Sequence, residues 1–149
     1  MSDLHQRMMT HALELAKQAY DRGEVPVGAV IYDADGTIIA AAHNRAETDH
    51  NMTHHAELLA ISAASEKARK GVLDEYFMAV TLEPCAMCAQ AISWARLKEL
   101  RFGAYDVKSG GVTNGARVFN HSHFKPEVFG GIMEAPAKEL MQKFFKERR

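Results

Sequence analysis

Residues 77–96 read F-M-A-V-T-L-E-P-C-A-M-C-A-Q-A-I-S-W-A-R, and no other stretch constrains the fold as strongly. The first six residues are apolar and β-prone, the mark of a buried strand. Pro84 stands where a helix begins, because its missing N–H costs nothing there. The helix predicted over 85–96 carries Cys85 and Cys88 in its first turn, three apart and therefore on one face. A strand that feeds a helix implies a crossover and a layered α/β arrangement.

The flanking segments fit that arrangement. Leu4, Met8, Ala12, Leu15, Ala16, Ala19 and Tyr20 have helical spacing, with Asp3 as the expected cap and Gly23 as the stop. V-G-A-V-I-Y-D (27–33) and T-I-I-A-A-A-H-N (37–44) flank D-A-D-G and predict a hairpin. A polar loop over 45–53 precedes a helix from about His55 to Lys70, with Gly71 after it. E-L-R-F-G-A-Y (99–105) reads as a strand. The Gly-, Asn- and Ser-rich stretch 106–126 has no clear pattern. Residues 127–132 read as a short strand or turn, and a last amphipathic helix covers about Pro136 to Arg148. The hairpin makes the expected five-stranded sheet mixed. The class is α/β, with one domain over 1–149.

Only two cysteines occur in 149 residues. The start, M-S-D-L-H-Q-R-M, lacks a basic region followed by an apolar stretch, and no apolar run reaches the ~20 residues of a bilayer span. A cytoplasmic location without membrane attachment is the default expectation. There, close cysteines read as metal or redox groups. The net charge of −1 gives no global sign of a nucleic-acid binder. The helix N-terminus, with roughly +0.5 charge, favours thiolates at Cys85 and Cys88. Two thiolates are half of a tetrahedral site. If His55 joins them there are three protein ligands, the number typical of catalytic zinc, which keeps its fourth position for water. Two thiolates and a neutral imidazole balance a dication. Glu57, two residues after His55, does not share its lateral face, which suits a base beside a ligand better than two co-ligands. Thr53 is the expected cap of this helix. A dithiol redox pair and a structural zinc site completed by His43, His50, His54, His121 or His123 remain open on spacing alone.

The order H-A-E … P-C-A-M-C resembles the H-x-E … P-C-x-x-C signature of the zinc nucleobase deaminases. E-V-P-V-G-A-V (24–30), N-R (44–45), H-A-E-L (55–58), V-T-L-E-P-C-A-M-C-A (80–89), F-G-A-Y-D-V-K-S-G-G (102–111) and F-F-K-E-R-R (144–149) are similar to the bacterial tRNA-specific adenosine deaminases. The resemblance implies a cytidine-deaminase-like three-layer α/β/α fold and one zinc ion per subunit, held by His55, Cys85 and Cys88. It implies that Glu57 shuttles protons and that Asn44 contacts the nucleoside. Pro26, Val27 and Leu82 then line the base pocket. Asp106 and Lys108 meet the flanking nucleotides, and Phe145 lies near the bound loop.

The implied reaction is deamination of adenosine to inosine at the wobble position of a tRNA anticodon loop. The implied partners are that stem-loop and a second copy of the chain, with Ile92, Trp94, Ala95 and the 99–105 strand as interface candidates. Lys138, Lys143, Lys146, Arg148 and Arg149 offer charge to phosphates, although on sequence alone a solvated helix face explains them better. The chain departs from the family at Asn51-Met52-Thr53-His54, where Asp-Pro-Thr-Ala is usual, and 112–124 matches loosely. Those departures keep a free nucleobase or nucleoside (guanine, cytosine or adenosine) as the rival substrate. A zinc-stabilised RNA-binding module would have no use for Glu57.

Overall fold

The structure is a computed structural model and describes residues 3–148. The element order is α1 (Asp3–Asp21), β1 (Gly28–Tyr32), β2 (Ile38–His43), α2 (Ala56–Ala68), β3 (Phe77–Leu82), α3 (Ala86–Ala95), β4 (Glu99–Ala104), a 3-10 turn at Val118–Asn120, β5 (Glu127–Phe129) and α4 (Glu134–Glu147). The five strands lie in the order β2-β1-β3-β4-β5. β1 pairs antiparallel with β2 and β3, whereas β3–β4 and β4–β5 are parallel. The mixed sheet expected from the hairpin is present.

Strand alternation divides the core between two faces. Ala29, Ile31, Met78, Val80, Leu100 and Phe102 pack with Ala56, Ala60 and Ala64 of α2 and Ala89 and Ile92 of α3. Val30, Tyr32, Phe77 and Ala79 face Met8, Met9 and Ala12 of α1. α4 closes that second side, with Ala137 against Ala104 and Leu13. The result is three layers. Gly28 lets α1 lie directly on β1, since a Cβ there would meet the Ala12 carbonyl oxygen at 2.1 Å. No helix among the described residues is long and apolar enough to cross a membrane.

Several boundaries and caps differ from expectation. Asp3 is a helical residue of α1, not its cap. The N-cap of α2 is His55, and Thr53 spends its backbone N–H and hydroxyl on the Asn51 side chain instead (3.0 and 2.7 Å). Pro84 sits one residue ahead of the N-cap of α3, which is Cys85. Both helices end earlier than their sequence suggests, at left-handed Arg69 and Arg96 (φ 57° and 58°). Each ending carries the paired backbone bonds of a Schellman motif: Arg69 N to Glu66 O with Lys70 N to Ser65 O, and Arg96 N to Ser93 O with Leu97 N to Ile92 O. Gly71 therefore plays no capping part.

Candidate active site

β1 and β2 deliver the chain to Asn44, and β3 delivers it to Cys85. The N-termini of α2 and α3 thereby meet at one end of the sheet. Their N-caps, His55 and Cys85, make no side-chain capping bond to their own helices. They face each other instead: His55 Nδ1 lies 3.7 Å from Cys85 Sγ and 3.5 Å from Cys88 Sγ. All three ligand atoms fall within 4.8 Å of one another. Ligands at zinc distances of about 2.0–2.3 Å have tetrahedral edges of about 3.3–3.8 Å, so the spacing fits a zinc ion. The electrostatics fit too. A hydrogen bond from Cys88, followed by His55, holds the Cys85 thiol down to about 4. Cys88 is pushed well above the thiol range, first by its bond to Cys85 and then by burial. A dication at this point removes the conflict between two adjacent thiolates.

α2 is capped from outside. Asn44 Oδ1 accepts from Ala56 N at 2.8 Å, and the Asn44 backbone N–H bonds Val27 O at 3.1 Å. With Oδ1 committed to a backbone donor, Nδ2 is the amide group left for a ligand. His55, Glu57, Cys85 and Asn44 line a cleft of about 600 Å³. Glu57 is 4% exposed, and burial pushes its carboxyl up to about 7.

The structure brings most of the expected substrate-side residues to this cleft. Val27, Leu82, Asp106, Lys108 and Phe145 all line it. Pro26 does not; it is buried, and Val25 lines the cleft beside Val27. Asp106 is occupied with its own turn, as Oδ1 accepts from Lys108 N (3.2 Å) and Ser109 N (3.0 Å). α4 contributes Lys138, Met141, Gln142 and Phe145, a stripe at i, i+3, i+4 and i+7 that its spacing alone could have revealed. Lys143 and Arg148 point elsewhere, Lys143 over the ring of Tyr20 on α1 and Arg148 over that of Phe144 on α4 itself. Arg149 lies outside the described residues.

Sequence reading missed Glu83, although it stands two residues before Cys85. The residue is 2% exposed, and its carboxylate accepts from the backbone N–H groups of Asp106, Val112, Thr113 and Asn114 and from Asn114 Nδ2, at 2.8–3.1 Å. Burial opposes its ionisation, but these donors outweigh it and hold the carboxyl below its ordinary range. Glu24 does the same across the cleft, accepting from Glu47 N, Thr48 N and Thr48 Oγ1. One buried carboxylate thus fixes each loop beside the site.

Residues 2–104 match the family model described as the cytidine and deoxycytidylate deaminase zinc-binding region. A tRNA-specific adenosine deaminase of Rickettsia felis is 45% identical over 95% of this chain and 100% of its own length. A solved chain from biochemical and structural studies of A-to-I editing by tRNA:A34 deaminases at the wobble position of transfer RNA is 41% identical. It covers 90% of this chain and 98% of its own, with a TM-score of 0.87. A guanine deaminase of Bacillus subtilis is 36% identical but covers 70% of this chain and 66% of its own, with a TM-score of 0.65. On its motif, its fold and these likenesses, the chain belongs to the cytidine and deoxycytidylate deaminase family of zinc-binding proteins, and within it to the tRNA-specific adenosine deaminases.

Proposed function

We propose that the protein hydrolytically deaminates adenosine to inosine at the wobble position of a tRNA anticodon loop, consuming water and releasing ammonia. The observation that carries this reading is the meeting of His55, Cys85, Cys88 and Glu57 at one cleft, in a chain that matches tRNA-specific adenosine deaminases over nearly its whole length. His55, Cys85 and Cys88 would hold zinc, and zinc bound there would act as a Lewis acid that brings the pKa of a water down towards about 7.

Glu57 takes a proton from the attacking water and delivers it to N1 of adenine, then takes the second proton from the new C6 hydroxyl and passes it to the departing amine, which leaves as ammonia. A carboxyl near 7 is matched to both directions of transfer. Asn44 Nδ2 donates to an acceptor on the nucleoside. Val27 and Leu82 flank the base, which must leave its stack to enter. Lys108, Lys138 and Phe145 meet the neighbouring nucleotides, with Asp106 holding the turn that presents Lys108. A free base has no use for this outer rim.

The working unit in this reading is a homodimer. Its support is the outer face of α3, which leaves Met87 (37%) and Trp94 (64%) exposed. Ile92, Ala95 and residues 100–104 are buried within the chain, so of the expected interface positions Trp94 and Tyr105 (42%) are the exposed ones.

The decisive assay measures inosine and ammonia from a tRNA anticodon stem-loop beside a panel of free bases and nucleosides. Turnover of the stem-loop alone is the expected result. Turnover of guanine, cytosine or free adenosine, with none on the stem-loop, overturns the RNA reading and leaves the zinc chemistry.

A further inference from the structure

The segment 45–54 joins two halves of the site, since Asn44 precedes it and His55 follows it. It contains no proline, and its Met52 is 68% exposed. Something other than packing must hold its ends in register. On the inner side the register is set by Asn44 Oδ1 and Ala56 N at 2.8 Å. One residue outward, the Arg45 backbone N–H donates to His54 O at 3.0 Å. On the outer side both of these residues turn their side chains to a single carboxylate. Arg45 Nε and Nη2 approach Asp49 at 3.0–3.3 Å, and His54 Nδ1 lies 2.8 Å from Asp49 Oδ2.

We propose that Asp49, bridged by Arg45 and His54, is a latch that fixes Asn44 against the N-terminus of α2 and so positions the substrate-facing amide relative to His55 and Glu57. The bidentate Arg45–Asp49 contact gives the bridge a defined plane. It also occupies the Arg45 guanidinium, which lies beside the site but not among the residues lining the cleft. His54 completes the bridge from the other strand of the loop. Neither residue lines the cleft, so both act as positioning residues. Loss of the latch lets Asn44 drift by a fraction of an ångström to an ångström, a displacement that costs up to about 10²-fold in rate when it affects a reacting geometry.

The proposal rests on the deaminase reading for its kinetic consequence, and its structural arm stands without it. The experiment uses the full zinc-loaded chain and two readouts. The first is hydrogen exchange at the Ala56 and Arg45 amides, which report the two bonds across the latch. His54→Ala and Arg45→Met are expected to raise both exchange rates about tenfold, while His54→Asn, whose amide takes the place of Nδ1, recovers most of the protection. The second is kcat/KM on the anticodon stem-loop. About a tenfold loss is expected in His54→Ala, and no further loss when the same change is made in an Asn44→Ala background, because coupled residues are not additive. Unchanged Ala56 exchange in both latch variants overturns the proposal. So does a tenfold kinetic loss that persists undiminished in the Asn44→Ala background, which marks a general structural defect. If the wild-type protein leaves the stem-loop untouched, the deaminase reading fails while the exchange measurements still decide the latch.

Discussion

Glu57 and the three metal-facing residues were legible because their chemistry is written in short motifs, H-A-E and P-C-A-M-C, whose spacing within each motif survives folding unchanged. What the motifs did not reveal is how those side chains are left free. His55 and Cys85 occupy N-cap positions yet cap nothing, and the duty passes to Asn44 in the case of α2. Thr53 was the natural local candidate, but its polar atoms close a turn on Asn51. A capping bond from twelve residues away has no local signature. Two outcomes follow at this scale. Glu57→Gln keeps zinc and loses about 10²–10⁴-fold in turnover, read by metal analysis alongside single-turnover kinetics. Cys88→Ala, which removes a buried sulfur from the triad, loses zinc and activity together; full zinc stoichiometry in that variant excludes Cys88 as a ligand.

Among elements, the long periodic helices and the hairpin could be read to within a few residues, while 106–126 could not. Its order comes from Glu83, which gathers donors 23 to 31 residues downstream, so no pattern within the loop announces it. The 3-10 turn is seated by a single buried side chain, Phe119. The two buried carboxylates make the loops sensitive to acid. Their folded-state values lie below the ordinary 4.5, so their contribution is fully present above that value and is lost as pH falls through the folded one. Thermal melts should therefore lose stability progressively below about pH 4.5, and Glu83→Gln should show a lower Tm at neutral pH with a shallower acid slope. The helix ends give an opposite test. Arg69 and Arg96 hold a left-handed backbone that costs an L-residue roughly 1–2 kcal/mol, which glycine avoids. Arg69→Gly and Arg96→Gly are expected to raise stability by about 1 kcal/mol or less each, since glycine also loses more entropy on folding; urea melts measure it.

For the molecule as a whole, the three-layer arrangement follows from strand–helix order, and the site sits where the ends of α2, α3 and β3 converge. The sequence could not show which apolar residues of α3 face inward, because Ile92 and Trp94 are equally apolar and only packing against the sheet separates them. If the α3 face joins two copies, Trp94→Glu shifts the species seen in sedimentation from dimer to monomer and lowers stem-loop turnover; an unchanged dimer places the interface elsewhere.

The pairing of β1 with β3 has a consequence for the order in which the chain acquires its metal. His55 follows the β1–β2 hairpin, Cys85 follows β3, and it is the register of Ala29 opposite Val80 that draws the two halves of the triad together. The hairpin closes over a few residues and is expected to form first, whereas β1–β3 contacts span about fifty residues and are expected to form later. Before that late step the nascent chain holds an imidazole and a dithiol with nothing to align them. Zinc capture is then the closing event of folding, not its template, and metal uptake during refolding should trail the appearance of the sheet.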